Sequence, residues 1–171
     1  MTTVLVVDDS AVDRRLAMGL LEQNAGWTIL PAAGGAEAVA VAFKTSVDLV
    51  LTDLQMPDMD GLSLLAALRR DKPDLPVILM TAAGSEDLAV QALRLGAAGY
   101  VAKRSLAAEL SPTVRRVLTA VSEERSQQTL RSRLLSRQAT YRLEPDLTVL
   151  MALSRHLRHF IGDVWQLDKT T

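Results

Sequence analysis

Cysteine is absent from the 171 residues, which excludes a disulfide framework, thiolate zinc sites and a cysteine nucleophile. An excess of either charge is also lacking: 19 basic residues face 20 acidic ones, for a formal net charge of −1. No global field is therefore available to hold nucleic acid or an acidic membrane. Uninterrupted apolar runs stay well short of the ~20 residues a membrane span needs. The start, Met1-Thr2-Thr3 followed at once by Val4-Leu5-Val6-Val7, has neither the basic region nor the long apolar core of a secretory leader. A soluble, cytoplasmic protein is the expectation. What is present, 49% hydrophobic and 23% charged residues, is the composition of an ordinary globular domain with an appendage.

Texture changes near residue 121. Residues 1–121 carry 11 basic and 14 acidic residues and eight of the nine glycines, whereas residues 122–171 carry 8 basic and 6 acidic residues. In the first part, short aliphatic runs recur at Thr3–Val7, Trp27–Ala32, Asp48–Thr52, Pro76–Met80 and Gly99–Ala102. Their nearly continuous apolar character suits strands buried on both faces. Helical-period segments alternate with them. Leu16, Leu20 and Gln23 follow Ser10, an N-cap by type, and Ala36–Lys44 follows Gly34-Gly35, which reads as a turn. Leu62, Leu65, Ala66 and Leu68 follow Asp60-Gly61, and Leu88, Ala92, Leu93 and Leu95 follow Ser85. Leu106, Leu110, Val114, Val117, Leu118 and Val121 mark a fifth helix. Five strand–helix repeats require crossover connections, hence an α/β fold with a doubly wound five-stranded parallel sheet.

Parallel strands end at one edge, the usual binding rim of open α/β sheets. Asp8-Asp9 follow the first strand, Asp53 the third, Thr81 the fourth and Lys103 the fifth. Three carboxylates crowded together would force a protonation unless a cation compensated them. With Lys103 the formal sum is −2, which one divalent ion cancels, and an all-oxygen donor set without Cys or His selects Mg²⁺. Such a pocket suits phosphoryl acceptance, with Asp53 as nucleophile and Lys103 and Thr81 meeting the phosphoryl oxygens. Small residues Ala82, Ala83 and Gly84 beside Thr81 leave room for that group.

Residues 4–121 resemble the receiver domains of two-component response regulators. The resemblance is carried by Val4-Leu5-Val6-Val7-Asp8-Asp9-Ser10, Asp53-Leu54-Gln55-Met56-Pro57-Asp58-Met59-Asp60-Gly61, Met80-Thr81-Ala82 and Gly99-Tyr100-Val101-Ala102-Lys103. It implies a flavodoxin-like sheet of order 2-1-3-4-5, and Mg²⁺ held by Asp8, Asp9, Asp53 and the backbone carbonyl of Gln55. It also implies phosphate received by Asp53 from the phosphohistidine of a sensor histidine kinase or a phosphotransfer protein, with Thr81 and Tyr100 as switch residues. One departure stands out: such domains commonly have proline after the lysine, often with a cis bond, and Arg104 stands here. A cis non-proline bond costs ~2.5–4 kcal/mol, so the alternatives are a strained cis bond or another path for the loop.

Blander readings compete. Asp8-Asp9 alone would be helix-capping acids, Met56-Pro57-Asp58 a turn, and Tyr100 a half-buried strand aromatic. Asp58 reads as a loop residue and Asp60 as an N-cap. The matching strand ends favour the metal site. His156 and His159 lack accompanying acidic or thiolate ligands and read as surface residues. The closest rival function is a Mg²⁺-dependent phosphohydrolase of the haloacid-dehalogenase type, which would want Asp-x-Asp after the first strand and a substrate cap.

The C-terminal extension is mainly helical. Residues 122–140 read as a charged helical linker whose polar members spoil a strong heptad pattern. Residues 141–171 read as a strand–helix segment, with Leu147, Leu150, Met151, Leu157, Ile161 and Trp165 on one stripe that needs a partner surface. Tyr141–Leu167 resembles the opening of an anti-sigma-factor-type ATP-binding kinase domain, without its nucleotide-binding motifs. The expectation is a cut-short output domain or a dimerisation element. It would contact an output domain, a protein partner or a second copy, with no direct nucleic-acid binding and no membrane.

Overall fold

The computed structural model describes residues 2–82 and 86–133, with side chains described for 2–82 and 90–129. The Ser85 cap, the two histidines and the strand–helix reading of 141–171 lie outside the described residues. Five strands, β1 (Thr2–Val7), β2 (Trp27–Ala32), β3 (Leu49–Asp53), β4 (Val77–Thr81) and β5 (Gly99–Ala102), form one sheet of order β2-β1-β3-β4-β5. Every pairing is parallel. Helices α1 (Ala11–Glu22), α2 (Gly35–Lys44), α3 (Gly61–Asp71), α4 (Glu86–Arg94) and α5 (Leu106–Arg133) make the crossovers. Both the fold class and the strand order agree with expectation.

Alternation along each strand divides the core in two, because successive side chains leave opposite faces of a sheet. Leu5, Val7, Val50, Val77 and Leu79 pack with Ala38 and Ala42 of α2 and with Leu64, Leu65 and Leu68 of α3. Val4, Val6, Leu49, Leu51, Ile78, Met80 and Val101 pack with Ala17 and Leu21 of α1 and with Leu106, Leu110, Val114 and Val117 of α5. Each fully buried Leu or Val contributes about 1.5–3 kcal/mol. This two-sided burial explains why the strands read as unbroken apolar runs.

Three expectations need correction. Leu16 does not face the core; the buried residues of α1 are Ala17 and Leu21, and Leu16 is exposed with Val12. The i+4 step from Ala17 to Leu21 sets that face, and the sequence offers a second, equally apolar phase. Strands β3 and β4 run one residue further than their hydrophobic runs, because the ladder continues through Asp53↔Met80 and Thr81↔Ala102. Gly34-Gly35 is not a free turn: Gly34 caps α2 and Gly35 opens it, against Met59.

Helix α5 passes Val121 without a break and contains Pro112. Proline removes one helical hydrogen bond, and the buried Leu110 and Val114 on either side hold the segment to the sheet. Buried Asn24, just past α1, ties the two helices together. Its amide donates to Leu21 O (2.9 Å) and Ser111 Oγ (3.2 Å), and its Oδ1 accepts from Arg115 Nε (3.0 Å) and Nη2. Among the described residues no helix is long and apolar enough to cross a membrane.

Candidate functional site

The carboxyl edge of the sheet is built by local chain reversals. Asp8 leaves β1 fully buried, and its Oδ1 accepts from Ser10 N–H at 2.9 Å, which turns the chain into α1. Ser10 then caps that helix by accepting from Asp13 N–H (3.3 Å), while Arg14 Nη1 donates to Asp8 O. Asp53 closes β3 and is 6% exposed. Its residue parity matches Leu49 and Leu51, so it belongs to the α1/α5 face of the sheet. Gly61 N–H donates to Leu54 O at 2.9 Å, and Asp60 caps α3 through Ser63 N–H at 2.7 Å.

Past β5, Lys103–Ser105 form one turn of 3₁₀ helix, and no cis peptide bond occurs among the described residues. Of the two routes open to Lys103-Arg104, the chain takes the trans one, with the short turn doing the redirecting. Lys103 Nζ lies 2.8 Å from Asp8 Oδ2, 2.9 Å from Asp53 Oδ2 and 2.9 Å from Asp13 Oδ2. The bonds to Asp13 and Asp53 have hydrogen-bonding geometry. The shortest approach is the ion pair to Asp8 Oδ2, and among the described residues no other donor reaches that buried oxygen.

One carboxylate oxygen each from Asp8, Asp9 and Asp53 lies within 4.8 Å of the others, Asp9 on the exposed side. Burial pushes the Asp8 carboxyl above its ordinary pKa, with the Asp53 charge adding to it and Lys103 and Ser10 N–H opposing it. Burial would lower the Lys103 pKa, yet the carboxylates of Asp8, Asp13 and Asp53 together outweigh it and hold the ammonium above its ordinary value. The site is acidic, lysine-braced and open toward Asp9. All the ligand atoms it offers are carboxylate oxygens, and Lys103 alone leaves them a net negative charge, so the residues fit a hard divalent cation.

The remaining expected residues lie around this centre. Gln55 is exposed in the loop after β3 and lines a cleft with Asp9, Leu54, Met56, Pro57, Asp60 and Leu62. Thr81 is buried at the end of β4, one residue past the Met80 that pairs with Asp53. Tyr100 on β5 pairs with Leu79 and is 42% exposed, more open than the half-buried aromatic its strand position suggests.

Asp13 escaped the sequence reading. Ser10-x-x-Asp13 is the spacing of a capping motif, so local logic accounts for the acid fully and leaves nothing to flag. The partner that gives it a second role is 90 residues away. Including Asp13 moves the formal charge of the pocket from −2 to −3, so one divalent ion leaves −1 and not zero.

Residues 4–115 match the family model of the response regulator receiver domain. A protein named as a putative transcriptional regulator of Pseudomonas aeruginosa is 40% identical over 119 residues, covering 69% of this chain and 57% of its own length. The phosphate regulon transcriptional regulatory protein PhoB of the same organism is 38% identical over 127 residues, with coverage of 71% and 55%. The chain thus spans about half the length of the curated relatives it matches. Among solved structures, a CheY-like response regulator receiver domain protein from Methanospirillum hungatei superposes with a TM-score of 0.67 at 27% identity, covering 72% of this chain and 98% of that one. A response regulator receiver domain protein from Clostridium thermocellum gives 0.65 at 29%, with coverage of 70% and 96%. Fold, sheet-edge chemistry and sequence kinship agree: the chain belongs to the response regulator receiver domain family.

Proposed function

We propose that this receiver accepts a phosphoryl group on Asp53 and passes its state to an output partner. The observation that carries the reading is the convergence at Asp53, with carboxylates of Asp8 and Asp9 within 4.8 Å and Lys103 Nζ at 2.9 Å. Asp8, Asp9, Asp53 and the Gln55 carbonyl would hold Mg²⁺, which when bound offsets negative charge on the transferring phosphoryl oxygens. Asp53 Oδ attacks phosphorus in line; the new O–P bond forms as the N–P bond of a phosphohistidine breaks, and the imidazole nitrogen keeps the electron pair. Lys103 then exchanges its Asp53 partner for a phosphoryl oxygen. The Thr81 hydroxyl follows from β4, and Tyr100 on β5 changes position with it. The domain is a stoichiometric acceptor, not a turnover catalyst.

The donor is a sensor histidine kinase or a phosphotransfer protein, and the setting is cytoplasmic. Residues 122–140 act as a linker, and 141–171 reach an output domain, a protein partner or a second copy. The names of the relatives favour a transcriptional output as a second reading for a longer protein. Contact with nucleic acid would then belong to its output part and not to the receiver. The family match leaves the phosphohydrolase reading without support.

Incubation with acetyl phosphate and Mg²⁺ tests the proposal. Asp53 should take up one acid-stable, alkali-labile label, Asp53→Asn should take up none, and continued labelling of that variant would move the acceptor elsewhere.

A further inference from the structure

Four carboxylates gather at the acceptor, and phosphoryl acceptance as described has a use for three of them, Asp8, Asp9 and Asp53. We propose that the fourth, Asp13, is a specificity-determining residue that selects against small anionic phosphodonors arriving from solution. A donor must then be held against this receiver by contacts of its own. The inference rests on the reading of Asp53 as the phosphoryl acceptor.

Position carries the argument. Asp13 Oδ2 and Asp53 Oδ2 each lie 2.9 Å from Lys103 Nζ, so no more than twice that length separates the two oxygens. Asp8 and Asp53 are buried, whereas the Asp13 side chain is 40% exposed, so an anion entering from solvent meets its charge on the way to Asp53. The Asp13 N–H is held by Ser10 Oγ, which fixes the residue in the first turn of α1. Among the described residues Lys103 is the one cation paired with it; neighbouring Arg14 turns Nη1 to the Asp8 carbonyl. Two effects run the same way. A carboxylate some 6–8 Å from the entering phosphoryl group repels it. The ammonium has three protons for Asp8, Asp13 and Asp53, and once a phosphoryl oxygen replaces Asp53, Asp13 still claims a share of its charge. A protein-bound donor offsets this repulsion through contacts elsewhere on its surface, and a free acyl phosphate has none. With the free donor, the bond from Asp53 Oδ to phosphorus forms as the bond from phosphorus to the acetate oxygen breaks, and acetate leaves with the electron pair.

The test compares Asp53 labelling rates of the 171-residue chain with acetyl phosphate, a dianion, and phosphoramidate, a monoanion. Wild type, Asp13→Asn and Asp13→Glu are each measured at saturating Mg²⁺. Asp13→Asn should speed labelling by acetyl phosphate about three- to tenfold and by phosphoramidate only about two- to threefold, because repulsion scales with the charge of the donor. The acetyl phosphate gain should fall below about twofold as ionic strength rises from about 0.05 to about 0.5 M. Asp13→Glu, which keeps the charge, should stay within about twofold of wild type. In the Mg²⁺-free chain the Lys103 ¹⁵Nζ resonance should shift in Asp13→Asn, a readout of the ion pair that involves no transfer. Equal rates in wild type and Asp13→Asn overturn the inference. So do an equal gain with both donors, a gain that salt leaves unmoved, an Asp13→Glu protein as fast as Asp13→Asn, or an unshifted Nζ resonance. A wild-type chain that takes no label on Asp53 from either donor would refute the acceptor reading itself and the inference with it.

Discussion

Replacing Gly61 by alanine tests whether the backbone beneath the acceptor is as tightly seated as the geometry requires. A Cβ at Gly61 would fall inside any real contact distance of Asp53 O, 2.7 Å from Leu79 Cδ2 and 3.0 Å from Leu54 Cα. Carbon atoms rest at about 3.5–4.0 Å, so the start of α3 must retreat by roughly 1 Å. Leu79 could turn aside, but Asp53 O and Leu54 Cα are backbone at the end of the central strand. A retreat of that size loosens Leu64, Leu65 and Leu68, all essentially buried, and a gap of ~1 Å forfeits up to about half of each contact's attraction. Overpacking of this kind costs about 1–3 kcal/mol, and backbone as the obstacle places Gly61→Ala near the upper end. Against the ~2–8 °C per kcal/mol of small domains, the melting temperature should fall by roughly 10 °C. Thermal unfolding followed by circular dichroism reads the loss, and acetyl phosphate labelling reads its effect on Asp53, which should slow with it. A Gly61→Ala protein with wild-type melting and labelling would show that the close approach does not exist and that the loop sits elsewhere.

Two further outcomes follow from the electrostatics. Asp8→Asn should raise the stability of the Mg²⁺-free protein by about 1 kcal/mol at neutral pH, because burial disfavours the ionised carboxyl while Lys103 keeps Asp13 and Asp53 as partners. Urea midpoints with and without Mg²⁺ check this, and the variant should gain little from the ion. Asp60→Ala should cost about 1 kcal/mol as a lost N-cap. Hydrogen bonds from Ser63 hold the Asp60 pKa below its ordinary 3.8. The charge-linked part of the difference is therefore complete above that value and fades as pH falls through the lower folded one. Denaturation at pH 7 and in strong acid should show the gap narrowing; a gap that widens in acid would reverse the assignment.

Much of the fold was legible because burial on two faces writes itself into strands as unbroken aliphatic runs, and because Ser10 and Asp60 are capping residues by chemistry. Asp8, Asp9 and Asp53 stood out because they sit at strand ends that parallel topology must bring to one edge. Other features were hidden for physical reasons. Leu16 and Leu21 are equally apolar, and only packing decides which of them faces the sheet. The ends of β3 and β4 depend on ladder bonds that continue past the hydrophobic stretch. Asp13 looked locally satisfied, and its bond to Lys103 exists only once α1 and the β5–α5 turn meet.

The unbroken run of α5 has a mechanical consequence. Its 28 residues give a rod of about 42 Å at ~1.5 Å rise per residue, and the turn holding Lys103 leads directly into its first residue. A tilt of only ~5° at the Leu106 end would sweep the Arg133 end through nearly 4 Å, since a stiff helix converts angle into travel in proportion to its length. A rearrangement too small to disturb the sheet is in this way enlarged at the far end of the rod to the width of a side chain.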